Sequence, residues 1–341
     1  MYRCLILLVL TISTASATTW IVDDDGSGNF TEIQDAINAS ADGDEIIVCG
    51  GTYHENLVVD RSVMLRGDGN PVVDSSGANE PIISITAANI TLEGFTISNC
   101  TDERQNSGAV VVRSDGCKVL NNTIFNSSAH GVLLFHSGKQ MISGNCIHDN
   151  DYTGMQFFNS SHNVISDNEI YRNGRQGIGM QYCVENMLTR NHVYENVWNG
   201  IYLENSGLNF LEANEIRCNA EEGISLTSES INNMLGKNDI CGNSNNGIIL
   251  QDSSAINILA RNNITDSGKN GILLVGSNDN GVLGNTLYNN DINGIGLYDC
   301  AICTIAGNNV FSNNNNGVVI RGDSNNNLVA ENYIHGNTRD G

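Results

Sequence analysis

Cationic residues, proline and aromatic rings are all scarce in this chain of 341 residues. Lysine and arginine number 16 against 38 aspartates and glutamates, for a formal net charge of −22; prolines number two and aromatics make up 6%. A chain so short of cations cannot neutralise a phosphate backbone, which excludes nucleic acid as a partner, and it is equally unsuited to an anionic membrane surface. Charged residues total only 16%, so this is not the densely charged surface of a halophile-type protein. Past residue 17 no run approaches the roughly 18 apolar residues of a membrane-crossing helix, so no integral membrane segment is expected. The seven histidines form no tract with Cys or Met that would suit a soft metal, so copper is not expected.

What is abundant is glycine and asparagine, in strict period. Gly108, Gly131, Gly154, Gly177, Gly200, Gly223, Gly247, Gly271, Gly294 and Gly317 are spaced by 23 or 24 residues. The residues one and three places after each are apolar, as in Val132 and Leu134, which predicts a short strand with one buried face. Two more apolar positions per unit, such as Ile165 and Ile170, predict two further strands. One asparagine column runs Asn122, Asn145, Asn168, Asn191, Asn214, Asn238, Asn262, Asn285, Asn308, Asn332. A second includes Asn150, Asn173, Asn196, Asn219 and Asn243, a third Asn163, Asn186, Asn209 and Asn233, and a serine column Ser137, Ser160 and Ser206. Asparagines stacked at one phase of a coil pass amide hydrogen bonds from each coil to the next, and glycine at each strand entrance is expected to supply a turn conformation.

Three strands per coil of about 23 residues define an all-β parallel solenoid. A leucine-rich repeat needs a different arc opposite its strand, the calcium-binding nonapeptide is missing, and 23 does not divide into hexapeptides. Right-handed crossovers dominate, so a single-stranded right-handed parallel β-helix is predicted.

Residues 1–17, with Arg3, an apolar run and the small-residue end Ala15-Ser16-Ala17, read as a cleavable secretory signal. Residues 18–45 read as an N-terminal strand and a capping helix, in which Thr31 and Gln34 form a capping box and Ile33, Ala36 and Ile37 share one face. Residues 46–341 form the β-helix, regular from about 108. After Asn337 the chain reaches Gly341 with no C-terminal cap, which leaves a fragment or an end-to-end subunit as the alternatives.

The run D-D-D-G-S-G-N-F-T-E-I-Q-D-A-I after Trp20, then D-G-D-E-I-I-V and G-T-Y-H-E-N-L-V-V-D, resembles the opening segment of the secreted pectin-lyase-like β-helix proteins, and with the Asn-Gly coils the NosD-type group. The resemblance implies an exported surface or periplasmic protein, often linked to carbohydrate. It carries no catalytic set across: the motifs of pectin methylesterases and polygalacturonases are absent, and His148-Asp149-Asn150-Asp151 only echoes the D-P-H-D of alginate epimerases.

Nine cysteines follow the signal. Cys183 and Cys300 stand in the serine column, Cys117 and Cys303 in the third asparagine column, and Cys100 in the second, so each reads as a ladder replacement rather than a redox or metal pair. Cys218 and Cys241, one coil apart at neighbouring phases, are the candidate disulfide. Asp23, Asp25, Ser27 and Asn29 alternate as in a calcium loop, but the twelfth position is Gln34 where a bidentate glutamate is expected, so the segment reads as a capped turn, with a calcium site as the alternative and no other cofactor expected.

The column after the last strand's isoleucine is largely aromatic: Phe125, His148, Tyr171, Tyr194, Tyr288, Phe311 and His335. Stacked rings stabilise a sheet by themselves. Around coils 148–222 they coincide with charge, in His148, Asp149, Asp151, Tyr152, Tyr171, Arg172, Arg175, Tyr194, Glu195, Trp198, Tyr202, Glu204, Glu221 and Glu222. Rings beside carboxylates and arginines suit a sugar chain, with Arg172 and Arg175 placed to meet a uronate. For catalysis the patch offers His148 or Tyr152 as base and an arginine to neutralise a carboxylate. The leading expectation is a secreted or surface β-helix that binds a polysaccharide or other glycan; the alternatives are a lyase, epimerase or hydrolase, and a structural envelope or adhesive component. Eight Asn-x-Ser/Thr triplets occur, at Asn29, Asn38, Asn89, Asn99, Asn121, Asn126, Asn159 and Asn263; in so asparagine-rich a chain many are expected by chance, and glycosylation of some stays open in a host with the machinery.

Overall fold

The structure is a computed structural model and describes residues 17–341; the signal segment lies, but for Ala17, outside the described residues. The chain winds through three strands per coil, and each strand pairs in parallel with its counterpart one coil on. The result is a first sheet of 14 strands, a second of 13 and a third of 12. One coil reads Lys118–Leu120 in the first sheet, Thr123–Phe125 in the second and His130–Phe135 in the third. Alternation places Ile, Leu and Val inward from all three sides, so that Val119, Ile124, Val132 and Leu134 join one continuous core with less than 2% exposure.

The corners are where asparagine is needed. A peptide that turns between sheets leaves N–H and C=O groups without a ladder partner, and burial of such groups costs free energy. Each member of the first column but the last, Asn332, answers this in one way. Asn168 sends its backbone N–H and its Nδ2 to the Oδ1 of Asn191, at 3.2 and 2.9 Å, and its Nδ2 also to the carbonyl of Ile142 at 2.9 Å. The second and third columns repeat this geometry. The cysteines fit as ladder members: the Ser160 N–H meets Cys183 Sγ at 3.5 Å and the Ser277 N–H meets Cys300 Sγ at 3.4 Å. Burial pushes the Cys183 thiol up to about 11. All nine described cysteines are thiols. Cys241 pairs across the ladder with Arg217, while Cys218 lies one place further on, its sulfur 3.6 Å from where Gly242 would carry a Cβ.

The repeated glycine acts otherwise than expected. Gly131, Gly154 and Gly177 are absent from the residues with positive φ. A Cβ on Gly131 would lie 2.6 Å from Ile147 Cγ2, 2.7 Å from the Gly154 carbonyl and 2.9 Å from Asn150 Nδ2, so glycine is there for close approach between chain, core and ladder. The left-handed corners are mostly taken by other residues, among them Asn121, Asp167, Arg190 and Lys237, each directly before a first-column asparagine.

At the N-terminal end the strand Thr19–Val22 joins the first sheet and the helix Ile33–Ala39 covers the core with Ile33, Ala36 and Ile37. Thr31 and Gln34 do not form the expected capping box. Glu32 is the N-cap without a side-chain bond, and the free N–H groups of Ile33 and Gln34 go to the carboxylate of Glu55 at 2.8 and 2.9 Å. Gln34 instead pairs with the backbone of Val58, receiving its N–H at 2.8 Å, and so occupies the outer edge of the third sheet's end strand, Leu57–Val59.

Candidate functional site

The third sheet carries a cleft of about 460 Å³ on its outward face between residues 105 and 204. Its floor is one column of the sheet, with Leu133, Gln156, Gly179 and Tyr202 in register. Gly179 lets the Gln156 amide lie across the floor: a side chain there would begin 2.5 Å from Gln156 Oε1. One wall is the next outward column, Phe135, Phe158, Gln181 and Glu204. Phe135 and Phe158 stack at 5.4 Å, and Gln181 Nε2 donates to Glu204 Oε2 at 2.6 Å.

The opposite wall comes from the turns that lead into the third sheet. Arg175 and Trp198 project from successive turns, with the Arg175 guanidinium 4.2 Å from the Tyr152 ring and 5.3 Å from Trp198. Above them sits the segment 101–107, the longer connection before the strand Gly108–Val112. It is pinned by the buried Asp102, which accepts from Arg104 Nε at 2.7 Å, and by the Tyr152 hydroxyl, which donates to the Glu103 carbonyl at 3.2 Å.

His130 fastens that segment to the coil. Its Nδ1 accepts the Thr153 N–H at 3.2 Å, so Nε2 carries the proton and donates to the Gln105 carbonyl at 3.0 Å. Burial first, and Arg175 nearby, depress its pKa to about 4. His130 is a neutral positioning group with both nitrogens occupied. Burial, then Glu204, raises Tyr202 to about 12, which keeps its phenol a hydrogen-bond donor.

The expected patch is divided by the structure. Arg175, Trp198, Tyr202 and Glu204 line the cleft, with Tyr152 directly behind Arg175. His148, Tyr171 and Tyr194 belong to the second sheet, where they stack with Phe125 at 5.2, 4.8 and 4.8 Å as the ladder reading anticipated. Arg172 is bound bidentately by Asp149, at 2.9 and 2.7 Å, and is therefore committed rather than open to a uronate. Arg172 first, then His148, holds Asp149 at about 2, and burial with its Cys146 contact pushes Tyr171 up to about 12. The Tyr194 hydroxyl donates to Glu169 at 2.8 Å. Asp151 and Glu195 are exposed corner residues apart from the cleft. The proposed base His148 thus lies on a different face from Arg175, its Nδ1 bonded to Asp149 at 2.6 Å.

The cleft residues Gln105, His130, Thr153, Gln156, Phe158 and Gln176 escaped the sequence reading. A signal for some of them was present in the column just before each glycine. In later coils it reads Asn246, Asn270, Asn293, Asn316, a fourth asparagine ladder whose donors point back toward the preceding coil. In earlier coils it reads His130, Thr153, Gln176, Asn199, Glu222. The ladder gives way to varied polar groups where the cleft lies.

At the N-terminal turn, Ser27 donates to Asp23 at 2.8 Å and Asn29 accepts the Ile21 N–H at 2.9 Å, so the segment closes on itself while Gln34 faces Val58. No helix among the described residues is long and apolar enough to cross a membrane.

The chain belongs to the right-handed β-helix family: the family described as right handed beta helix region matches residues 81–240 and 232–341. It is 32% identical over 129 residues to a cell surface glycoprotein of Methanothermus fervidus; the match takes in 37% of this chain and 21% of that much longer protein. Among solved structures it resembles the A-module of a mannuronan C-5 epimerase from Azotobacter vinelandii, with a TM-score of 0.61 and 15% identity over 90% of this chain and 93% of that one. It also resembles a family 28 exopolygalacturonase from Yersinia enterocolitica, with a TM-score of 0.57 and 11% identity over 95% of this chain and 79% of that one. At such identities the likeness is one of fold.

Proposed function

We propose that this is an exported, cell-surface β-helix protein that binds a polysaccharide along the outward face of its third sheet. The observation that carries the reading is the cleft itself: a groove between aromatic walls, lined by side-chain amides. Phe135, Phe158, Trp198 and Tyr202 offer apolar faces to sugar rings, while Gln105, Asn106, Gln156 and Gln176 offer paired donors and acceptors to hydroxyls. Successive coils present these groups along the solenoid axis at about the 4.8 Å strand spacing, a repeat close to that of a sugar chain. The likeness to a cell surface glycoprotein, and to enzymes whose names place them on polysaccharides, supports the location and the ligand class.

Binding is favoured over turnover by what surrounds the cleft's titratable groups. Its one carboxylate among the lining residues, Glu204, is bonded to Gln181, and both His130 nitrogens are occupied. An acid and a base facing each other across a bond are what glycosidic or C5 chemistry needs.

The test is a glycan array on the mature protein, with product release followed in the same wells. Loss of binding in Trp198→Ala and Phe158→Ala, with Tyr171→Ala unaffected, is the expected result. Binding that depends on Tyr171 and ignores Trp198 would move the site to the second sheet, and turnover would make the protein an enzyme.

A further inference from the structure

The eight Asn-x-Ser/Thr triplets are not scattered as chance would place them. Seven of the fourteen asparagines between residues 18 and 159 open such a triplet, against one of the thirty-eight from residue 160 onward. Burial sorts them further. The seven early ones are all exposed, whereas the late one, Asn263, is half-buried within a strand and donates to Asp239 at 2.8 Å.

Five of the seven occupy left-handed corners of the coil: Asn89, Asn99, Asn121, Asn126 and Asn159, with φ between 46° and 63°. Their side chains are exposed at the corners rather than within a strand, although the Asn121 and Asn159 amides meet Glu93 at 3.2 Å and His136 at 2.8 Å in the preceding coil. Later coils keep asparagine at comparable corners, as at Asn205, Asn232 and Asn289, but place Gly207, Met234 and Asp291 two residues on. Asparagine there is a matter of backbone geometry, since it tolerates positive φ. The hydroxyl residue two places on is not.

The fold makes little use of those hydroxyls: Ser161 Oγ accepts the Val184 N–H at 3.1 Å and Thr101 donates to the Ala78 carbonyl at 3.1 Å, outside the ladders. Thr91 stands opposite Lys118, Thr123 opposite Cys146 and Ser161 opposite Gly138 in the neighbouring coil. None of the three belongs to the serine or asparagine ladders. A serine or threonine that no ladder uses, fixed two places after an exposed asparagine, is the pattern an N-glycosylating transferase recognises.

We infer that the corner asparagines Asn89, Asn99, Asn121, Asn126 and Asn159 are N-glycosylation sites, and that the coils beyond residue 160 stay bare. In the reaction the asparagine amide nitrogen bonds to the anomeric carbon of a glycosyl phosphate or diphosphate donor. The bond from that carbon to the phosphate oxygen breaks, the phosphate leaves as its anion, and the amide gives one proton to base. Donor and transferase come from the exporting cell. The Asn89 and Asn121 side chains lie against Gly116 and Gly144 of the next coil, where a larger residue would meet the amide oxygen. At Asn126 the amide already touches Asn99 one coil below, so these two sites compete for space.

The inference rests on export, not on the cleft's binding a polysaccharide. The protein is recovered from its own cells after separating the external fraction from the cytoplasm, digested, and its peptides weighed. Glycan mass on the peptides with Asn89, Asn121 and Asn159 is expected, with Asn263 and the ladder asparagines unmodified. Thr123→Ala, expressed in the same cells, loses the glycan from Asn121 while its unfolding midpoint stays within a few degrees of the parent. An exported chain without glycan, or one modified at Asn263 as heavily as at the corners, overturns the inference alone. A chain held inside the cell overturns the surface reading beneath it as well.

Discussion

Asn168 and Asn191 are joined twice, the backbone N–H and the amide Nδ2 of the first both ending on the Oδ1 of the second. Asn191 in turn sends its own Nδ2 to the Ile165 carbonyl at 3.0 Å and to Asn214 at 3.0 Å. One side chain thus satisfies two donors and two acceptors, all buried. Asn191→Ala strands the Asn168 backbone N–H, leaves its Nδ2 only the Ile142 carbonyl, and takes a donor from both the Ile165 carbonyl and the Asn214 Oδ1, at about 1–3 kcal/mol for each unmet group. The expected loss is about 3–5 kcal/mol in urea unfolding. Arg190→Ala, one residue away, breaks only an exposed ion pair with Asp167 and should cost less than about 1 kcal/mol. Equal losses would mean that the ladder contributes no more than surface charge.

That ladder is also why so much of the fold was legible. A coil of about 23 residues repeats one set of corner requirements, so each requirement appears in the sequence as a column. What the columns cannot carry is an exception that depends on neighbours far off in sequence. Glu55 caps the helix at Ile33 and Gln34 from 22 and 21 residues away, across a coil whose register the sequence does not display. The cleft is an exception of the same kind. Tyr171 and Trp198 look like members of one aromatic patch, yet one lies within a second-sheet strand and the other in the turn that follows. Only the winding of the chain separates them onto different faces.

Glycine tests the two uses of small size. Gly177→Ala puts a methyl 2.8 Å from both Asn196 Nδ2 and the Gly200 carbonyl, and backbone cannot move aside within a stacked coil. A loss of about 2–4 kcal/mol is expected, or failure to fold. Gly179→Ala meets the free end of the Gln156 side chain, which can rotate away. Stability should change by less than about 1 kcal/mol, while calorimetric titration with an array-selected glycan shows weaker binding. Undiminished affinity in Gly179→Ala would show that the position of the Gln156 amide does not matter to the ligand.

The two neighbouring arginines separate the two faces. Arg175 lies between Tyr152 and Trp198 and makes no ion pair among the described residues, so its N–H groups face the cleft. Arg172 is closed off by Asp149. Arg175→Ala should weaken glycan binding about tenfold or more, in keeping with a lost cation–π contact and hydrogen bonds. Arg172→Ala should leave affinity unchanged. Matching losses from both would require a ligand that spans the corner between the second and third sheets.

His130 makes the cleft's upper wall sensitive to acid. An unfolded histidine takes up a proton near pH 6.5, whereas the buried His130 does so only near 4, because protonation removes the lone pair that holds the Thr153 N–H and adds charge beside Arg175. Between those values the unfolded chain binds more protons than the folded one, so stability falls as the pH drops from about 6.5 to 4 and then levels. The full difference is about 3 kcal/mol. Carboxylates titrate in the same range, so the measurement is a difference: urea unfolding of the parent and of His130→Gln at pH 7 and at pH 4. The substitution should be costly at pH 7 and cost about 3 kcal/mol less at pH 4. The protection of the Thr153 amide against hydrogen exchange, after correction for the intrinsic rate at each pH, should fall over the same interval in the parent alone. A penalty for His130→Gln that is the same at both pH values would mean that the histidine titrates freely, and its role as the pin between Gln105 and Thr153 would have to be given up.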